Sequence, residues 1–148
     1  GAAVEPPSEI KKIVSNIGKA DMILIYINDK RGIFRKTISK IFVIVINLIT
    51  LNNLKYYNGP NIHLVENVKS YREEVSGFNF AYHHQAGFIV EQIRQKKTYI
   101  EILIEPYVRT SKTSETFTPY NIVRIVGALM SIFLNQIIYL LKKIMKKL

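Results

Sequence analysis

Ile41-Phe-Val-Ile-Val-Ile-Asn-Leu-Ile49 is the stretch whose reading decides the fold. It is rich in β-branched side chains and has no polar alternation, the pattern of a strand covered on both faces. A second run, Thr98-Tyr-Ile-Glu-Ile-Leu-Ile-Glu105, begins by alternating and ends nearly all apolar. It reads as a companion strand. The polar stretch between the two holds the adjacent pair His83 and His84. Together they describe an α/β or α+β domain that carries a ligand.

Composition sets the outer bounds. The chain has 148 residues, 48% of them apolar and 22% charged, which suits one globular domain with a real core. Cysteine is absent, so disulfide scaffolds, thiolate zinc sites and cysteine nucleophiles are excluded. Lys and Arg exceed Asp and Glu by 21 to 11, a net charge of +10. Such a surplus favours anionic partners: nucleotides, phosphates or an acidic membrane surface. A lysine-rich solvated surface is the plain alternative for any one cluster.

Working outward from the two runs, Pro6-Pro7-Ser8 reads as a stop and a cap, followed by a helix from Glu9 to about Ile27. Within it Gly18 is a weak point, and Met22 to Ile27 fits a strand equally well. Ile33 to Ser39 is a basic connector. Asn58-Gly59-Pro60-Asn61 marks a turn, Ile62 to Val68 a short strand, and Phe78 to Phe80 another. Phe88 to Ile93 reads as a strand, with Arg94 to Lys97 turning into the Thr98 run. Thr118-Pro119 then opens a long helix from Tyr120 to Leu148, with Thr as cap and Pro in the first turn.

That last helix raises the question of a membrane. Ile122 to Leu141 is about 20 residues, enough to span, with lysines following. Arg124, Asn135 and Gln136 would be costly in lipid. Arg124, Ser131, Asn135, Lys142 and Lys146 recur on one side of the helix. The expectation is therefore an amphipathic helix packed on the sheet, its polar stripe toward solvent and part of its broad apolar face left for a subunit interface.

No metal-ligand spacing, phosphate loop or nucleophile elbow is present. Neighbouring histidines on a strand point to opposite faces and suit one metal poorly. His83 could contact a phosphate or base with Tyr82 or Phe80 stacking beside it, or these could be core and surface residues. Glu105-Pro-Tyr-Val-Arg-Thr110 leaves the end of a strand, where binding groups are held rigidly. There Arg109 and Thr110 suit a phosphate or purine edge. Basic residues interleaved with aromatics are too few to expect nucleic acid.

Read in order, these pieces resemble the ligand-binding domain of the STING family, the stimulator of interferon genes. Lys40-Ile-Phe-Val-Ile-Val-Ile-Asn47 stands where the family has its first strand, and Gly59-Pro-Asn-Ile-His-Leu-Val-Glu-Asn-Val68 where it has its Asp-Pro-Asn-Ile segment. Glu74 to Gly77, Phe88 to Val90, Arg94 to Lys97, Glu105 to Thr110 and the helix from Tyr120 follow in the family's order. The resemblance implies one domain over 1–148 with 1–7 as a flexible lead-in. It implies a central twisted sheet of about five strands, flanked by a long N-terminal and a long C-terminal helix, paired as a V-shaped homodimer. It further implies a non-enzyme without cofactor that binds a cyclic dinucleotide between protomers. Such a receptor forms higher oligomers and passes a signal to a downstream protein in innate immunity. The ligand-binding set carried over is Ser15, Lys19, Tyr82, His83, Glu105, Arg109 and Thr110. The family's first lid arginine aligns with Val75 and its Thr-Pro with Val108-Arg109, departures that imply a shifted ligand preference or the loss of cyclic dinucleotide binding. The implied location is the cytosolic side of the endoplasmic reticulum, anchored by a region before Gly1, or else a bacterial cytoplasm. The alternative is a non-catalytic interaction module whose basic C-terminal helix docks a partner or an anionic membrane.

Overall fold

The structure is a computed structural model and describes residues 7–27, 33–71, 81–105 and 119–146. Its elements run α1 (Pro7–Val14), β1 (Met22–Ile27), α2 (Ile33–Thr50), β2 (Asn61–His63), α3 (Val65–Ser70), α4 (Ala81–Arg94), β3 (Tyr99–Ile104) and α5 (Pro119–Met145).

β1 is apolar at every position because it is the middle strand of three. It pairs in parallel with β3, from Met22 opposite Tyr99 to Ile27 opposite Ile104. On its other side it pairs antiparallel with β2, from Met22 opposite His63 to Leu24 opposite Asn61. Alternation then divides its side chains. Met22 and Leu24 join a core with Phe42, Val43 and Ile46 of α2, Ala86, Ile89 and Val90 of α4, and Ile132 of α5. Ile23 and Ile25 meet Ile102 and Ile104 of β3 on the opposite face, where Ile13 of α1 packs. The β1–β3 ladder is clamped at its start. Thr98 donates its amide and its hydroxyl to Asp21 Oδ2 at 2.8 and 2.7 Å. These bonds hold the Asp21 carboxyl below its ordinary pKa.

The connection from α2 to β2 is built on two residues. Asn47 of α2 accepts the Leu54 amide at 3.1 Å and the Tyr57 hydroxyl at 2.7 Å, and donates to the Leu54 carbonyl at 2.9 Å. Tyr57 is fully buried, and burial pushes its phenol up to about 12. Gly59 lies against the backbone of β1, where an added Cβ would stand 1.9 Å from the Ile25 carbonyl oxygen.

The expected five-stranded sheet between two long helices is corrected: among the described residues the sheet has three strands, in the order β2-β1-β3. The Ile41–Ile49 run is the second half of α2. Phe42, Val43, Ile46 and Thr50 are buried at helical spacing, while Ile41, Ile44 and Leu48 are exposed. β-branched residues cost a few tenths of a kcal/mol each in a helix. Burying a Phe or Ile side chain yields about 1.5–3 kcal/mol, so packing overrides propensity. Phe88 to Ile93 is likewise helical, with Ala86, Ile89 and Val90 buried one turn apart. The first helix ends at Val14 rather than near Ile27. Ser15 and Asn16 side chains bond the Lys12 carbonyl, and Gly18 takes φ +84°. Of the expected 62–68 strand only Asn61–His63 is extended, and α3 follows. The 78–80 strand lies outside the described residues. Tyr99–Ile104 and the helix opening at Pro119 agree with the sequence reading, and of the two readings open for Met22–Ile27 the strand is the one found.

Gly59→Ala is expected to destabilise the fold by about 3 kcal/mol, because the backbone on both sides of the contact must move. Urea denaturation checks this, and a midpoint unchanged from wild type would show that the contact relaxes freely.

Candidate functional site

α5 has 27 residues, about 40 Å at the helical rise. It packs on α2 and α4. The side turned toward them holds Ala128 and Ile132, but also Ser131 and Gln136, which are only 3% and 6% exposed. The side turned away carries Val126, Met130, Phe133, Leu134, Ile137, Leu141 and Ile144, all exposed. The expected orientation, with the polar stripe toward solvent, is therefore reversed over the middle of the helix. Ser131 and Gln136 face the protein and the widest apolar arc faces out.

Arg94, the last residue of α4, explains the reversal. Its side chain is 12% exposed, and its Nη2 donates to Gln136 Oε1 at 2.5 Å. Glu91 lies 3.4 Å from Nη1, and the guanidinium sits 5.0 Å from the centre of the Tyr139 ring. A guanidinium stays charged throughout the accessible pH range, so burying it demands partners. Gln136 meets Nη2 and Tyr139 the guanidinium plane from α5, three residues apart and thus on one side of the helix, while Nε has no hydrogen-bond partner among the described residues. Two residues earlier on α4, Gln92 is fully buried, and its amide atoms have no hydrogen-bond partner among the described residues.

Ile122–Met145 is long and apolar enough to cross a membrane, and only 22% of its apolar window is buried. That low share sets it apart from the core helix of a water-soluble domain. Its end carries Lys142, Lys143 and Lys146, all exposed. α2 adds a second exposed apolar stripe in Ile41, Ile44, Leu48 and Leu51. A helix with polar groups turned to protein and apolar groups turned outward is matched to a lipid or protein surface rather than to water.

Of the ligand set expected from the sequence, Ser15, Lys19 and Glu105 have described side chains. Ser15 bonds the Lys12 carbonyl at 3.0 Å and Lys19 the Asn16 side chain at 3.4 Å, both exposed beyond the end of α1. Lys19 lies two residues before Asp21, at the start of the β1–β3 ladder, whereas Glu105 follows its last rung. Six residues of strand, about 17 Å, intervene. Tyr82 and His83 belong to the first turn of α4. Arg109 and Thr110 lie outside the described residues. Sequence reasoning missed Arg94 and Gln136. The available signal was the width of the apolar arc on α5, too broad for a helix with one side in water.

A ring cluster lies at the middle of α4. Phe88 meets His63 at 4.6 Å and Tyr71 at 4.9 Å, each edge to face. Burial holds the His63 imidazole below its ordinary pKa, and its Nδ1 has no partner among the described residues. Among the described residues no group of three or more His, Asp or Glu is placed to hold a metal. No family model, curated protein or solved structure matches the chain.

Two predictions follow from this geometry. Gln136→Leu should cost about 2 kcal/mol in denaturant unfolding by stranding the Arg94 guanidinium, while adding Arg94→Met should recover most of the loss. Additive losses would mean that the two side chains are not coupled. For His63, the unfolded state binds its proton at higher pH than the folded state does. Stability should therefore fall as pH drops below about 6.5. His63→Phe, which keeps the ring contact, should flatten this part of the pH profile, and an unchanged profile would assign the effect elsewhere.

Proposed function

We propose that this chain is a non-catalytic interaction domain that attaches to an anionic membrane through α5. The observation that supports it most is the outward apolar face of α5, backed by buried polar groups and ended by three exposed lysines. A net charge of +10 draws the chain toward acidic lipid and away from a second copy of itself. The endoplasmic reticulum is the membrane to which the resemblance points.

Recognition of a cyclic dinucleotide between two protomers rests on the resemblance to STING. The segments that carried the resemblance as strands, Lys40–Asn47 and Phe88–Val90, are helical, which weakens the ground for that reading. It forms a separate arm of the test. A cyclic dinucleotide at 100 times its dissociation constant would stabilise a receptor by about 2.7 kcal/mol in a thermal-shift assay.

Flotation with phosphatidylcholine vesicles, with and without phosphatidylglycerol, tests the attachment. Binding should require the apolar face and be strengthened by acidic lipid. Neutralising Lys142, Lys143 and Lys146 to Gln should weaken binding to acidic vesicles by about a hundredfold, taking about 1 kcal/mol for each lysine. Phe133→Glu with Ile137→Glu, at positions 44% and 39% exposed, should abolish flotation without loss of fold. A wild-type chain that stays in the aqueous fraction, or a double variant that floats, would overturn the attachment.

A further inference from the structure

The structure bears on how α5 sits in lipid, an inference that rests on the membrane attachment above. The apolar stretch Ile122–Met145 has the length of a spanning helix. Its buried and half-buried residues, however, run from Arg124 through Ala128, Ile132 and Gln136 to Tyr139. The domain is thus fastened to the middle of the helix rather than to one end. Were α5 to cross the bilayer as docked, α2, α4 and the sheet would have to enter the hydrocarbon with it.

That placement is forbidden on physical grounds. Among the described residues β2 and β3 are edge strands without outer partners, and an open sheet edge does not occur in lipid. Crossing would instead require α5 to be stripped away. Ala128 and Ile132 would then leave the core, and Arg94 would lose Gln136 and Tyr139. Lying flat needs no rearrangement, because the exposed Val126, Met130, Phe133, Ile137, Leu141 and Ile144 already share one side of the helix. Lys142, Lys143 and Lys146, all exposed at the end of the helix, add cationic side chains whose stems can bend toward lipid phosphates.

We propose that α5 docks in the plane of an anionic membrane, its outer face sunk to the boundary of headgroups and acyl chains along its whole length. Helices of this kind lie about 5–10 Å into that boundary. The occupant of the surface is acidic lipid, chosen by charge. A second copy would bring +10 against +10, whereas an acidic leaflet neutralises it.

Absence of cysteine from the chain makes the test clean. Single cysteines at Val126, Met130, Phe133, Ile137, Leu141 and Ile144, all exposed, are labelled with an environment-sensitive fluorophore on the full chain. Quenching by lipids bearing nitroxides at graded depths is then read on vesicles of phosphatidylcholine and phosphatidylglycerol. In-plane docking predicts one shallow depth at all six sites. A profile deepest near Phe133 and shallow at both ends means spanning and overturns the proposal. Vesicle binding without quenching at any site also overturns it, by placing the contact elsewhere. Failure to bind vesicles at all strikes the membrane attachment itself and is seen separately in flotation.

Discussion

The buried guanidinium of Arg94 is the constraint on which the outer half of the molecule depends. A charged group that is nearly covered must be met by hydrogen-bond acceptors and a ring face, or the fold loses several kcal/mol. In this chain those partners, Gln136 and Tyr139, come from α5. Pairing Arg94 Nη2 with Gln136 fixes the rotation of α5 about its axis, and the rotation decides what its far side presents. Because the near side is given over to Gln136, Ser131, Ala128 and Ile132, the bulky aliphatic residues are left facing outward. The surface is apolar there because of a polar contact beneath it.

The same logic separates this helix from two common look-alikes. A central helix of a water-soluble protein would have its apolar window mostly covered, and here only 22% is. An ordinary surface helix would turn its polar stripe to water, and here Ser131 and Gln136 are buried. An inward polar seam with an outward apolar arc is the arrangement expected beside lipid, where interhelical hydrogen bonds hold helices together and the outside need not be wet. Among the described residues the three-stranded sheet leaves β2 and β3 with open edges, which suit water.

How much of this the sequence discloses depends on the element. β1 and β3 are legible because short apolar runs bounded by turn residues pack as strands, and the Thr118-Pro119 opening of α5 follows from capping chemistry alone. Ile41–Ile49 misleads because an unbroken apolar run carries no period, so it fits a buried strand and a buried helix alike. The decisive fact was length. Continued back to Ile33 the segment spans 18 residues, too long for a strand in a small sheet. Of the candidate site residues, Ser15 and Lys19 are exposed together beyond the end of α1 and Glu105 is exposed after the last rung of β3. Arg94 and Gln136 sit 42 positions apart, and no local pattern links them. Their pairing is a property of tertiary structure.

The claim that α5 turns its polar side inward is tested most directly by thiol labelling of the free chain in water. Ser131→Cys and Phe133→Cys place single thiols two residues apart on opposite sides of the helix. The account predicts that the thiol at 133 reacts quickly with a maleimide, that the thiol at 131 is strongly protected, and that denaturant makes the two equal. A thiol at 131 that reacts as fast as, or faster than, the one at 133 in the folded chain would contradict it.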